Sequence, residues 1–176
     1  MILSNKLFEG VLIADADKCN TLKIISGFAT SSMATRHLEV LKEKSLNLKI
    51  ELIVGMTPCV GIGEADHKLF QEIMQKAENN FKCSYVSHDF KHIHSKLYVW
   101  CKDNIPIKAY TGSANYTQNA FFTKQGEIIT ACDPVSSLEY YNTISANSIY
   151  CTHQEGDSYI TKKSVLCLMA ERPNRI

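Results

Sequence analysis

The alternation of strand and helix patterns between residues 21 and 87 constrains the fold of this chain more than any other feature. Three segments rich in β-branched and apolar residues are typical of strands: 21–29, 47–55 and 81–87. Apolar residues recur at helical spacing between them, over 33–44 and 66–79. Strands that alternate with helices predict a βαβαβ unit with parallel strands and right-handed crossovers.

The pattern changes after residue 87. Two strand-like runs, 93–100 and 105–111, are joined by the turn sequence CKDN and predict an antiparallel hairpin. The first run is apolar on both faces, as expected of a buried central strand. A further strand is predicted over 126–132. It is followed by a helix over 134–146 that is capped by Asp133 and starts with Pro134. The predicted fold is α/β, with a mixed, mostly parallel β-sheet flanked by helices.

Shorter segments are assigned from local signals. Residues 5–17 predict a helix or an entry segment. Ser31 or Ser32 is expected to cap the helix that follows the first strand. Glycines and a proline predict a loop over 55–66, which we expect near the C-terminal edge of the sheet.

The predicted hairpin carries residues suited to phosphate chemistry. His94 and Lys96 are two apart, so on a strand both side chains leave the same face. The lysine can bind a non-bridging phosphate oxygen while the histidine attacks phosphorus or moves a proton. The GSAN sequence at 112–115 can offer backbone N–H groups, a hydroxyl and an amide to the same anion. Glu127 can hold and polarise the histidine, as the third member of a catalytic triad does.

At these residues the sequence resembles the phospholipase D superfamily. H-x-K, a short hairpin and then G-S-x-N is the signature of that superfamily. A glutamate further along the chain resembles its restriction-endonuclease branch, the BfiI and NgoFVII type. The superfamily motif usually has an aspartate five residues after the lysine, where this chain has Cys101. The resemblance therefore favours the endonuclease branch, in which Glu127 can replace the aspartate.

The resemblance implies a site and a mechanism. The catalytic residues would be His94, Lys96, Asn115 and Glu127, with Lys96, Ser113 and Asn115 binding the phosphate. A chain with one H-x-K motif would supply two histidines by forming a homodimer with one active site at the two-fold interface. One His94 would form a phosphohistidine while the other acts as general acid and base. No metal or cofactor is expected, because the two lysines would stabilise the developing charge.

For the substrate, the resemblance favours DNA, with this chain as the catalytic domain of a type II restriction endonuclease. Family members carry sequence recognition in a separate C-terminal domain, which we expect to lie outside these 176 residues. Three alternatives stay open: a non-specific or RNA-directed nuclease, a phospholipid phosphodiesterase of the same superfamily, and a non-catalytic nucleic-acid-binding module. The sequence contains neither an amphipathic basic helix nor a long apolar run, so it predicts no membrane partner.

Composition bounds these expectations. The length suits one domain, expected over 1–170, with 171–176 as a tail or the start of a linker. Seven cysteines, scattered and odd in number, favour reduced thiols in a cytoplasm, which the resemblance implies is bacterial. The net charge is only +1, yet the segment 81–125 holds six lysines and two aspartates. That distribution favours an anionic polymer, unless these lysines are ordinary solvated surface residues.

A zinc site is the rival interpretation of the same region. Cys83, His88, His92, His94 and Cys101 form a Cys/His-rich patch, but their spacing matches no closed structural zinc pattern. The other notable side chains are expected to be structural: His37, Tyr98, Trp100, Cys101 and Tyr116.

Overall fold

A computed structural model of the chain describes residues 2–77, 80–123 and 125–161. The strands in these residues are β1 (Ile2–Leu3), β2 (Thr21–Ser26), β3 (Lys49–Val54), β4 (Phe81–Val86), β5 (Leu97–Lys102), β6 (Ile105–Gly112), β7 (Ile129–Cys132) and β8 (Ser148–Tyr150). The α-helices are α1 (Ser31–Glu43), α2 (Thr57–Val60), α3 (Glu64–Lys76), α4 (Gln118–Phe122) and α5 (Pro134–Ser145). A π-helix spans Phe8–Ile13 and a 3-10 helix spans Gln154–Tyr159.

The strands form one sheet in the order β1-β7-β6-β5-β2-β3-β4-β8. β2, β3 and β4 are parallel, which confirms the predicted βαβαβ unit. β5 pairs antiparallel with β2 on one side and with β6 on the other. The α/β fold with a mixed sheet is therefore confirmed. The parallel part is smaller than predicted, because β1, β7 and β8 add antiparallel pairings at the two edges.

Helices cover both faces of the sheet. On one face, α1, α3 and the π-helix pack on the even-numbered residues of β3, as the alternation of Leu48, Ile50, Leu52 and Val54 predicts. On the other face, α5 packs through Tyr141 and Ile144. β5 contributes to both layers, and all but its last residue are buried. It is the central strand that its sequence predicts.

Several element boundaries differ from the sequence predictions. β5 begins at Leu97 and β7 at Ile129, so His94, Lys96 and Glu127 lie in the segments just before these strands. The loop predicted over 55–66 contains the short helix α2 and the start of α3. His94, Lys96 and Glu127 thus lie beyond the paired part of their strands, where the backbone is free to bend around a site.

Helix caps follow the sequence only in part. α5 begins after Asp133, whose side chain accepts a hydrogen bond from the Ser136 N–H, as predicted. α1 is preceded by Thr30, without a side-chain cap, and the predicted cap Ser31 lies in its first turn instead. The Ser31 hydroxyl and N–H both donate to Asp66, so this serine joins α1 to α3. The predicted end of the second helix at Asn79 lies outside the described residues.

The hairpin of β5 and β6 turns at Asp103 and Asn104. Both residues have positive φ, 51° and 65°. This is the combination that a two-residue type I′ turn needs and that aspartate and asparagine tolerate better than most residues. None of the described helices is long and apolar enough to cross a lipid bilayer.

Candidate active site

The candidate site lies at one end of the sheet, where four strand ends meet. The register places Ile25 of β2 opposite Leu97 of β5, and Leu97 opposite Thr111 of β6. Gly112 at the end of β6 is in turn opposite Ile129 of β7. The segments that extend these strands therefore come together: Gly27-Phe28, His94–Lys96, Ser113–Asn115 and Glu127. Alternating strand direction brings two carboxyl ends and two amino ends to the same place.

A glycine fixes the approach to the H-x-K segment. Gly55, directly after β3, lies so close to the backbone of Ile93 that a Cβ atom at this position would overlap the Ile93 carbonyl. The two residues also share a hydrogen bond of 2.8 Å from the Ile93 N–H to the Gly55 oxygen. Ile93 then buries its side chain on the α5 face of the sheet. His94 is thereby directed to the opposite side, as the alternation of side chains predicts.

His94 and Lys96 are in direct contact. The Lys96 ammonium lies 3.1 Å from Nε2 and 3.3 Å from Nδ1 of the His94 ring, and it donates to the His94 carbonyl at 2.7 Å. An ammonium can only donate hydrogen bonds, so the ring nitrogen that accepts from it carries no proton. His94 is exposed, so its ring is open to a substrate.

Lys96 is a buried cation, only 7% exposed. Among the described residues, no carboxylate lies within ion-pair distance of its Nζ. Burial lowers the pKa of Lys96 below its ordinary value, and the negative charge of Glu127 partly offsets that effect. A buried ammonium with no carboxylate bound to it is ready to bind an anion, whose charge would compensate its lost hydration.

Glu127 is also buried, at 6% exposure, and belongs to a hydrogen-bonded chain. Its carboxylate accepts from the Ser113 hydroxyl and, at 2.6 Å, from the Gln125 amide. Ser113 is held further by Ile128, whose N–H donates to the serine oxygen at 3.0 Å. Within the described part of the chain, no hydrogen bond joins Glu127 to His94. Glu127 therefore orients Ser113 and acts on Lys96 through its charge.

Asn115 is oriented from behind by β2. Its Oδ1 accepts from the Phe28 N–H at 3.1 Å and lies 3.4 Å from the Ser26 hydroxyl. Because its oxygen is committed to these donors, the amide NH2 group of Asn115 is left to face the site as a donor. Ser26 is fully buried and also accepts from the Tyr116 N–H at 2.8 Å.

The predicted site residues thus share one end of the sheet. Two donors of different kinds, the Lys96 ammonium and the Asn115 amide, lie in segments that meet at His94, and the Ser113 hydroxyl of the same end donates to Glu127. Such an arrangement can bind the oxygens of a phosphate beside an imidazole that is able to attack it. The predicted contact between Glu127 and His94 is not among the hydrogen bonds of the described residues, in which Glu127 binds Ser113 and Gln125 instead.

The residues of the rival zinc interpretation are scattered. Cys83 and Cys101 are buried in the hydrophobic layers on opposite faces of the sheet. His88 stacks on Tyr159 and contacts Ser158. The described residues contain no cluster of three or more His, Cys, Asp or Glu side chains with the geometry to hold a metal ion.

The side chains predicted to be structural are in the core. Tyr98, Trp100 and Tyr116 are fully buried, and each hydroxyl or indole N–H has a hydrogen-bond partner. His37 is buried between Tyr116 and the carbonyl of Leu12, and burial lowers its pKa to about 4. Burial raises the pKa of the Cys101 thiol to about 11, as expected for a packing residue.

The lysines counted in the sequence do not all surround the site. Lys102 lies beside the turn of the hairpin, at the far end of the sheet, and Lys108 is bound to Asp15 at 2.9 Å. Lys82 begins β4 at the same far end and lies over the Tyr150 ring. Lys124 lies outside the described residues. The basic segment is therefore spread over the molecule, and Lys96 is the cation next to His94.

Sequence reasoning did not single out Ser26, Phe28 or Gln125. Ser26 is the last residue of β2 and Phe28 follows it, and only the sheet register shows that the end of β2 meets His94. Gly27 gives a sequence signal, since a glycine at the end of an apolar strand indicates a close approach. Here the approach is to His94, whose Cδ2 would lie 2.8 Å from a Cβ at position 27.

Solved structures define the class of fold. Nuc from Salmonella typhimurium, a phospholipase D family member, is similar with a TM-score of 0.59 at 16% identity, over 85% of this chain and 95% of that one. NucT from Helicobacter pylori is similar with a TM-score of 0.54, also at 16% identity, over 85% and 97% of the two chains. A polyphosphate kinase from Porphyromonas gingivalis gives 0.53 at 14% identity, over 88% of this chain and 25% of its own length. The fold is that of the phospholipase D superfamily.

The sequence defines the family within that class. Residues 5–158 match the family described as the NgoFVII restriction endonuclease N-terminal PLD domain. The match extends over most of the chain, so the chain belongs to that family, a phospholipase D-like nuclease domain of the restriction-endonuclease type. No curated protein matches this chain by sequence.

Proposed function

We propose that this chain is a metal-independent endonuclease domain that cleaves DNA through a phosphohistidine. The observation that carries the proposal is the contact between exposed His94 and the buried, carboxylate-free ammonium of Lys96. DNA is the substrate that fits the family description, which names a restriction endonuclease. The phosphodiester would supply the negatively charged partner that Lys96 lacks in the free protein.

The first step of the proposed reaction forms a covalent intermediate. A neutral His94 attacks phosphorus, a P–N bond forms, and the P–O bond to one nucleoside breaks. The departing oxygen takes a proton from a second histidine, which must therefore be protonated at the start. Lys96 and Asn115 donate to the non-bridging oxygens, where charge increases in the transition state, and Ser113 joins them when its hydroxyl turns from Glu127 to the phosphate.

The second step restores the enzyme. Water attacks phosphorus in line with the P–N bond, which breaks and releases neutral His94 as the new P–O bond forms. The second histidine, now neutral, accepts the proton of the water. The products are a phosphate monoester end and a free hydroxyl end on the DNA. Since the first step needs one neutral and one protonated histidine, activity is expected to be bell-shaped in pH, with apparent pKa values that belong to the pair.

The second histidine is proposed to be His94 of a second copy of this chain. The sequence has one H-x-K motif, and a two-fold axis beside it would place two such motifs around one phosphate. The homodimer would thus have one active site with two His94 residues and two Lys96 residues. In that arrangement each Glu127 would orient a His94 across or beside the axis.

We further propose that this domain does not select a DNA sequence. The family description names an N-terminal domain, which supports a separate domain for recognition in a type II restriction endonuclease. Residues 1–170 would form the nuclease domain, and 171–176 would lead away from it as a tail or linker. Thr161, the last described residue, is hydrogen bonded to Ile62 and to Val60.

The test is cleavage of supercoiled plasmid DNA in the presence of EDTA by the wild type and by His94→Ala. The matched control is His153→Ala, which removes an exposed histidine from the N-terminus of the 3-10 helix. We expect the wild type and the control to cut the plasmid in EDTA, and His94→Ala to be inactive. Loss of wild-type cleavage in EDTA would overturn metal independence.

A quench experiment tests the intermediate. Labelled DNA should become attached to the wild-type chain in a bond that is stable to alkali and labile to acid, because a P–N bond has these properties. Its absence in His94→Ala would place the bond on that residue. Cleavage of RNA or of a phospholipid, with intact DNA, would replace the proposed substrate by one of the other superfamily substrates.

A further inference from the structure

An aromatic side chain stands beside the candidate nucleophile. Phe28 follows β2 and is 41% exposed, although it is a large apolar residue. The centroid of its ring lies 5.8 Å from that of the His94 ring, with the planes at 80°, an edge-to-face contact. The ring therefore forms part of the rim around the position where a phosphate would meet His94.

The backbone holds this ring in place. The Phe28 N–H donates to Asn115 Oδ1 at 3.1 Å, and the Phe28 carbonyl accepts from the Ser26 hydroxyl at 2.5 Å. Gly27, directly before it, is in contact with His94. Phe28 and Asn115 are thus held by hydrogen bonds to each other, and Ser26 contacts both of them. A fixed, exposed ring loses little conformational entropy when a ligand packs on it.

A phosphate group gives no reason for an apolar ring at this position. In a nucleic acid, each phosphate is joined on either side to a sugar that carries a base. Both the sugar and the base have faces that pack on aromatic side chains. Phe28 lies next to the imidazole, at the distance where such a neighbour of the phosphate would lie. Ile105, an exposed apolar side chain beside the hairpin turn, lies at the far end of the sheet, whereas Ile128 is exposed at the same end as Phe28, next to Glu127.

We propose that Phe28 packs against the nucleoside next to the scissile phosphate. This inference rests on the proposed nuclease function and adds a determinant for it, a preference for phosphodiesters that carry a nucleoside. The contact needs only the face of a sugar or a base, so it is independent of sequence. Phe28 would hold the phosphodiester in line with His94, while Lys96 and Asn115 bind its oxygens.

Matched small substrates test this assignment. Methyl p-nitrophenyl phosphate and the p-nitrophenyl phosphate diesters of thymidine, linked at the 5′ or at the 3′ oxygen, share one leaving group. They differ in whether the other ester is a methyl group or a nucleoside. The quantity of interest is the ratio of kcat/KM for each thymidine diester to kcat/KM for the methyl diester, measured in EDTA.

We expect the wild type to prefer at least one thymidine diester, and Phe28→Leu to reduce that ratio roughly 5- to 150-fold, the range measured for loss of one base–aromatic contact. Phe28→Tyr should retain the preference, since its ring is preserved. Ile105→Ala, which removes an exposed apolar side chain at the far end, should behave as the wild type. Activity of Phe28→Leu on the methyl diester shows that the variant is folded.

Three results would overturn the proposal. Equal loss on all three substrates would mean that Phe28 only positions His94. An unchanged ratio would mean that the ring does not contact the nucleoside. A wild-type dimer that dissociates in Phe28→Leu, as measured by sedimentation, would make Phe28 a contact between two copies of the chain.

A binding measurement separates this proposal from the proposed function. If the wild type cleaves none of the substrates, the nuclease proposal fails, and binding of a fluorescent single-stranded oligonucleotide then tests Phe28 alone. In the His94→Ala background, Phe28→Leu should weaken binding by a similar factor. Equal binding with and without the Phe28 ring would reject the contact.

Discussion

The most informative single residue is Lys96, because its environment conflicts with what a lysine ordinarily requires. Burial of an ammonium without a carboxylate partner opposes folding, and the lowered pKa of Lys96 reflects that cost. The hydrogen bonds from Lys96 to His94 compensate only in part. Proteins retain such a side chain where an anionic ligand completes its environment. The unpaired, buried charge of Lys96 therefore identifies the site independently of the motif.

Gly27 offers a sharp test of the geometry around His94. In Gly27→Ala the new methyl carbon would lie 2.8 Å from Cδ2 and 3.3 Å from Cα of His94, so the imidazole must move. A displacement of about 1 Å can reduce activity about 100-fold, and we expect a loss of that order in kcat/KM for DNA cleavage. The measurement is a steady-state rate on plasmid DNA.

Gly10→Ala is the matched control for this substitution. Its methyl carbon would have only an ordinary contact of 3.9 Å, with Leu3, in the π-helix far from His94. It should retain wild-type activity. Wild-type activity in Gly27→Ala with an unchanged melting temperature would show that His94 does not need its observed position.

At the scale of elements, the sequence predicts most of the sheet but not its edges. The parallel strands and the two long helices follow from periodicity, because each buries one regular apolar face. β1 and β8 have only two and three residues, too short to carry a period. β5 and β7 begin later than predicted, because β-branched and apolar residues continue into segments that bend away from the sheet.

The candidate site was predictable where residues carry chemistry and hidden where they only support it. His94, Lys96, Ser113, Asn115 and Glu127 are recognised by residue type and spacing. Ser26 and Phe28 come from a distant part of the sequence, and only the antiparallel pairing of β2 with β5 brings them to His94. That pairing depends on long-range contacts, which a single sequence does not encode in any local pattern.

The buried environment of His37 predicts how the contact between α1 and the π-helix responds to acid. It joins α1 to Tyr116 and to the end of the π-helix as a neutral, buried side chain with a pKa of about 4. In the unfolded chain the pKa is about 6.5, so below that pH the unfolded state binds a proton that the folded state excludes. The stabilisation is present above pH 6.5 and is lost between about pH 6.5 and pH 4.

The measurement is urea unfolding at pH 7.5 and pH 5. His37 should account for about 2 kcal/mol of the stability lost between these two pH values. His37→Gln should lose correspondingly less, although it is less stable at pH 7.5. His153→Gln, at an exposed histidine, should keep the wild-type difference. An equal pH dependence in His37→Gln would show that His37 becomes protonated within the folded protein.

For the whole molecule, the central prediction is a dimer with one shared site. Wild-type and His94→Ala chains, mixed in equal amounts and allowed to exchange subunits, should form wild-type, mixed and mutant dimers in a ratio of roughly 1:2:1. If every reaction needs both His94 residues, only wild-type dimers are active. Plasmid cleavage should then be roughly a quarter of that of the same total amount of wild-type protein.

The mixing experiment distinguishes this arrangement from independent sites. Sites that each use one His94 would leave about half of the activity, because every wild-type chain would remain functional. Sedimentation of the mixture provides the control, since exchange must be complete before rates are compared. A wild-type chain that is active as a monomer would reject the shared site directly.

The sheet also divides the molecule into two ends with different tolerance to change. Gly27, His94, Asn115 and Glu127 all lie at one end, whereas the turn at Asp103 and Asn104 lies at the other, six residues of β5 away. A peptide tag, a fluorophore or a whole DNA-binding module inserted at that turn would be held away from the reacting phosphate. The turn is therefore the natural attachment point for engineering: a programmable cutting enzyme could receive its targeting unit there and keep its chemistry intact.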